Sequence, residues 1–124
     1  IVGHSDKINM HGLRYRAFDL THKWYADLMH EHLQLIKNKG LLLEINTKSL
    51  ADKGLTFPHQ SFYPVIKELE IPIMVNSDCH YPTNVDAGFT QTYAALKSLG
   101  FKTMQHLTAQ GWQAAEFDEN GLRL

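Results

Sequence analysis

The chain has 124 residues, 44% of them hydrophobic and 20% charged, with a net charge of −1. This is the profile of one globular domain or part of one, and it excludes a surface that grips nucleic acid or a membrane by bulk charge. No apolar run approaches the roughly 18 residues of a membrane span, and the single cysteine, Cys79, excludes an internal disulfide framework and fits a reducing compartment such as the cytoplasm.

Residues 1–4 read as the end of a buried strand, entered without an initiator methionine, so the expectation is a single partial domain over 1–124 cut from a longer protein. Residues 5–20 read as a polar loop. From Thr21 to Lys39, apolar residues at three- and four-residue spacing (Trp24, Tyr25, Leu28, Met29, His32, Leu35, Ile36) predict an amphipathic helix capped by Asp19 or Thr21 and stopped by Gly40. "LLLEIN", 41–46, reads as a strand buried on both faces. After a loop, "SFYPVIKELE" predicts a short helix with Ser61 as N-cap and Pro64 in its first turn. "IPIMVNS", 71–77, is the next buried strand, and 86–99 a helix closed by Gly100. The tail holds a short strand, a further turn or strand, and a polar end at "DENG". Alternation of strands and helices implies right-handed βα units and a parallel sheet.

The chemistry gathers at strand ends. "IVGHSD" finishes in His4 and Asp6, "LLLEIN" in Glu44 and Asn46, and "VNSDCH" in Asp78 and His80. Ligands of parallel α/β folds sit at the carboxyl ends of strands. Residues i and i+2 of an extended segment share a side, so Asp78 and His80 aim at one point with Cys79 turned away as a small buried apolar residue. A carboxylate and an imidazole converging on one spot suit zinc, manganese or iron. Turn-capping is the plainer reading of a single D-x-H, and three polar strand ends in series count against it. His30 and His32 fall on different helix faces, His22 and His106 read as structural or solvated, and His11 and His59 stay open.

"IVGHSDKI", "LLLEINTKSL" and "IPIMVNSDCH", in this order, resemble the second half of a PHP-superfamily metallohydrolase of the histidinol-phosphatase type, over residues 1 to about 100. The resemblance implies the C-terminal part of a distorted, TIM-like (β/α)7 barrel of parallel strands, with up to three divalent metal ions at the strand ends. It implies hydrolysis of L-histidinol phosphate in histidine biosynthesis. His4, Asp78 and His80 match metal ligands, Asp78 and His80 being the catalytic pair, and Glu44 and Asn46 match residues lining the site. Arg14, Arg16, Lys48 and Lys53 follow the motifs as candidates for the substrate phosphate, with Arg14 favoured because a guanidinium holds phosphate in bidentate fashion.

The family's H-x-H pair has no counterpart outside the helical "HEH", so the chain alone is expected to have little activity and, with open strand edges, to self-associate as a possible homo-oligomer. Two alternatives stand beside this reading. Related domains hydrolyse other phosphate esters or nucleic acid, against which the near-neutral charge argues. A non-catalytic module in which His4, Asp78 and His80 cap turns is the other.

Overall fold

The computed structural model describes residues 1–15, 18 and 20–124. Its helices are α1 (Ile8–Tyr15), α2 (Lys23–Asn38), α3 (Leu50–Lys53), α4 (Tyr63–Glu68) and α5 (Phe89–Ser98). Its strands are β1 (Leu43–Asn46), β2 (Ile73–Asn76), β3 (Thr103–Thr108), β4 (Gly111–Asp118) and β5 (Gly121–Arg123).

The expected long helix is α2, and its inward face is Tyr25, Met29, Leu33 and Ile36, at spacings of four, four and three. Trp24, Leu28 and Leu35, expected on that face, are instead about half exposed (49%, 50% and 54%), because each lies one residue, about 100°, around the helix from the buried row. Gly40, with φ of 62°, turns the chain out of the helix as expected. His22 occupies the N-cap position rather than Thr21, and the Asp19 alternative lies outside the described residues. Segment 5–20, expected to be loop, contains α1. Pro64 sits in the first turn of α4 as expected, but the cap differs: the His59 side chain, not Ser61, accepts a backbone hydrogen bond, from Ser61 N.

The barrel expectation is overturned. β1 and β2 form a two-stranded parallel sheet, in register Leu43↔Ile73 to Asn46↔Asn76, and β3-β4-β5 form a separate antiparallel sheet. The amino-terminal segment adds only an isolated parallel bridge, Val2↔Leu43. Chain connectivity gives the reason. Ala109–Gln110 and Glu119–Asn120 join β3 to β4 and β4 to β5, and two residues close a hairpin, whereas a parallel crossover needs a dozen or more. At the other end, left-handed φ values at His4 (51°) and Asp6 (70°) break the strand that the sequence suggested.

One core nevertheless unites the elements. Ile36 of α2, Leu43 and Ile45 of β1, Ile66 of α4, Ile73 of β2, Leu96 of α5 and Phe117 of β4 are buried in a single apolar cluster. β1 is buried throughout, as its apolar run predicted. This rigid floor fixes where Asn46 and Asn76 leave the paired strands, and so where the segments after them stand.

Candidate functional site

The three polar motifs meet. His4 Nε2 lies 2.9 Å from Asp78 Oδ2, and the backbone N–H of His4 donates to Glu44 Oε2 at 2.9 Å. Glu44 is buried, and its carboxylate also accepts from Asn76 Nδ2 (2.8 Å) and Asn46 Nδ2 (3.3 Å). A buried carboxylate with three donors is a firm anchor. It ties the amino-terminal segment to the ends of both parallel strands. Gly3 eases the approach, since a Cβ there would lie 3.3 Å from Glu44 Oε2 and the carboxylate would have to shift by a few tenths of an ångström.

Asn46 serves twice, because its Oδ1 accepts from Lys48 N at 3.1 Å. Thr47 N donates to Asn76 O (2.9 Å) and Thr47 Oγ1 to Ala87 O (2.6 Å), so the chain leaving β1 is pinned from both sides. Lys48 then reaches across to the β2 exit. Its Nζ is 3.2 Å from Asp78 Oδ2, and 3.1 and 3.3 Å from His80 Nδ1 and Nε2. His80 Nδ1 also lies 2.9 Å from the Asp78 carbonyl oxygen. A carbonyl only accepts, so Nδ1 carries the proton and Nε2 keeps its lone pair, while the ammonium lies against both ring nitrogens, slightly nearer Nδ1.

Asp78 and His80 converge by a different route from the one the sequence suggested. β2 ends at Asn76, and Asp78 is in the left-handed region with φ of 47°, so strand alternation no longer applies at 78–80. The corollary about Cys79 fails for the same reason: expected to be buried, the thiol is exposed. Among the described residues, His4, Asp6, Asp78 and Glu70 are the non-glycine residues with positive φ, and three of these four belong to the strand-end motifs. Such backbone costs on the order of 1–3 kcal/mol per residue and collects where side chains must be aimed.

Electrostatics favour an ionised Asp78. Desolvation raises its carboxyl and is the largest single influence, but hydrogen bonds from His4 and Lys48 and their charges together outweigh it and hold the carboxyl below the usual aspartate range.

Asp6 points elsewhere. It is buried and accepts from Tyr25 OH (2.7 Å to each oxygen), Asn9 Nδ2 (2.9 Å) and His59 N (2.9 Å). Desolvation raises its pKa despite these donors, and burial with the facing carboxylate raises that of Tyr25. Its role is to clamp the segment after His4 onto α2 and the 55–60 loop.

The remaining candidates divide. Lys53 pairs with Asp52 and lines, with Lys48, Asp78, His80, Tyr81 and Asn84, an open groove of about 470 Å³. Glu44 and Asn46 lie beneath the cluster with their polar atoms engaged by protein partners. Arg14 sits in the last turn of α1 with its guanidinium over the Tyr15 ring at 5.3 Å, and no contact among the described residues joins it to His4, Asp78 or His80. Arg16 lies outside the described residues. His11 stacks on Tyr15, and the His59 ring engages Ser61, so both of the histidines left open have structural partners. The sequence does not single out Asn76, and it offers Lys48 as a candidate for the substrate phosphate rather than as a contact of Asp78 and His80. The signal available for Lys48 was its position two residues beyond a buried strand end.

Among the described residues, no three His, Cys, Asp or Glu side chains already converge as a metal group. The donor chemistry nevertheless suits a cation, and the Lys48 ammonium stands in for one between Asp78 and His80. Metal–ligand bonds are about 2.1 Å, so these donors must close by about 1 Å to hold a divalent ion in its place. His80 presents Nε2 while Nδ1–H is held by a carbonyl, the usual arrangement of a metal-ligating histidine. No helix of the described residues is long and apolar enough to cross a membrane. Comparison with models of known protein families and with curated proteins finds no match to the chain.

Proposed function

We propose that this chain carries part of the active site of a metal-dependent phosphomonoesterase, with His4, Asp78 and His80 as ligands of a divalent ion (zinc, manganese or iron) and L-histidinol phosphate as substrate, in the cytoplasm. The observation that supports the reading is the meeting of three motifs distant in sequence, His4 with Glu44 and with Asp78, at the exits of two parallel strands. Structural capping alone gives no reason for Asp78 to meet the His4 imidazole beside an exposed groove that Asp78 and His80 line.

A bound divalent ion supplies hydroxide near neutral pH and offsets phosphoryl charge. The chain's own residues do the rest. Glu44 fixes His4 through its backbone N–H, leaving the imidazole to face Asp78. Asp78 contributes an ionised oxygen, and His80 an Nε2 lone pair whose direction is set by Nδ1–H on the Asp78 carbonyl. Lys48 and Lys53 border the groove and suit the oxygens of a small phosphate ester as point charges. Arg14, over Tyr15, is a weaker candidate for that role than its guanidinium suggested.

The test is phosphate release from L-histidinol phosphate by the full-length protein with Mn²⁺ or Zn²⁺, beside hydrolysis of single-stranded DNA. The expected result is release from the monoester, abolished in Asp78→Ala, with DNA left intact. Cleavage of DNA alone, or undiminished turnover in Asp78→Ala, contradicts the proposal.

A further inference from the structure

Among the described residues, Lys48 is the one cation in contact with the proposed ligands Asp78 and His80. Its ammonium contacts Asp78 Oδ2 at 3.2 Å and the His80 ring nitrogens at 3.1 and 3.3 Å, while Asp78 Oδ2 also faces His4 Nε2 at 2.9 Å. Two of the three side chains expected to bind a metal, Asp78 and His80, thus already contact one positive charge, and the third, His4, contacts Asp78. The placement is built in. Asn46 Oδ1 holds Lys48 N, Thr47 is fixed to Asn76 O and Ala87 O, and α3 starts two residues further on.

An ammonium and a divalent ion cannot share this space. Asp78 Oδ2 is already engaged by His4 and Lys48, and a monovalent and a divalent cation at close range repel. The Lys48 stem is flexible and its side chain is 42% exposed, so the ammonium can swing into the adjoining groove, which it already lines.

We propose that Lys48 is a built-in competitor of the metal: its ammonium holds Asp78 and His80 together until a divalent cation displaces it, and the displaced ammonium then binds the substrate's phosphate. This inference rests on the metal reading above and goes beyond it. One residue weakens metal binding and strengthens phosphate binding, so its removal moves the two affinities in opposite directions.

Calorimetric titration of the chain with Zn²⁺, followed by inorganic phosphate, tests this in the native sequence, Lys48→Met and Lys48→Arg, with thermal melting as a check on folding. Lys48→Met is expected to bind Zn²⁺ about tenfold more tightly, given the close charge it removes, and phosphate several-fold more weakly. Lys48→Arg, which keeps the charge, should stay near the native values. The native effect on Zn²⁺ should shrink as salt is raised, since the lysine is partly exposed. Equal Zn²⁺ affinity in the native chain and Lys48→Met overturns the proposal while leaving the metal site standing. Absence of Zn²⁺ binding from both removes the metal site and this inference with it. If Zn²⁺ binding appears only in Lys48→Met, the competition is confirmed in its strongest form.

Discussion

His4 and Asp78 are 74 residues apart in sequence, yet His4 Nε2 and Asp78 Oδ2 lie 2.9 Å from one another. Both residues hold a left-handed backbone to do this, and Glu44 beneath them fixes the segment that carries His4. If the pair forms one site, their contributions to metal affinity are coupled. His4→Ala, Asp78→Ala and the double variant should therefore be strongly non-additive, by at least about 1 kcal/mol in a Zn²⁺-binding cycle. Simple additivity means that the two residues serve separate purposes.

Glu44 supports the site from below. Glu44→Gln replaces an acceptor oxygen by an NH₂ that faces other donors, and a buried donor left unpaired costs about 1–3 kcal/mol. Urea unfolding should show a loss of this size. Metal affinity should fall about 10–100-fold, as for other outer-layer partners of metal ligands. A Glu44→Gln protein of native stability and native metal affinity contradicts the anchoring role.

The Asp6–Tyr25 clamp makes a separate prediction. Tyr25→Phe keeps the ring in the core but removes the hydroxyl from a buried carboxylate that also accepts from Asn9 and the His59 backbone. The expected loss is about 1.5–3 kcal/mol, the range for hydrogen bonds to charged groups. Because the clamp follows His4 by two residues, metal affinity should weaken as well. A loss below about 0.5 kcal/mol counts against the clamp.

Alkaline stability depends on Tyr63. Its hydroxyl is buried and donates to Thr56 Oγ1 at 2.8 Å, since that oxygen's own proton goes to Pro58 O at 2.7 Å. Burial pushes the phenol from its ordinary 10.0 up to about 12. A folded-state value above the unfolded one means that the folded chain keeps the proton longer. The associated stability is therefore complete below pH 10 and is lost as pH rises through 12. Tyr63→Phe should cost about 1 kcal/mol at neutral pH and make the fall in stability between pH 10 and 12 shallower. Tyr25 and Tyr93, also raised by burial, leave a residual slope. An unchanged slope in Tyr63→Phe contradicts the assignment.

The sequence made local features legible and global ones less so. The 3.6-residue pattern located α2 and the apolar runs located β1 and β2, because both signals arise within one element. The antiparallel tail was not legible as such. Its hairpins are set by the two-residue links Ala109–Gln110 and Glu119–Asn120, whereas the sequence alone predicts only a short strand, a further turn or strand and a polar end at "DENG". For the site, the strand-end motifs identified His4, Glu44, Asn46, Asp78 and His80 as neighbours. Left-handed backbone at His4 and Asp78 was not visible in residue types that do not demand it, so Cys79 was placed on the wrong side. The position of Lys48 depends on Asn46, Thr47 and Ala87 together, a relation no local pattern encodes.

The most direct measurement is the stoichiometry and affinity of Zn²⁺ for the chain, compared across His4→Ala, Asp78→Ala and His80→Ala. The account predicts that the chain binds Zn²⁺ at one site and that each substitution weakens it by about 100-fold or more, beyond the effect of outer-layer partners. Zn²⁺ binding that is equally strong in all three variants, or absent from both the native chain and Lys48→Met, contradicts it.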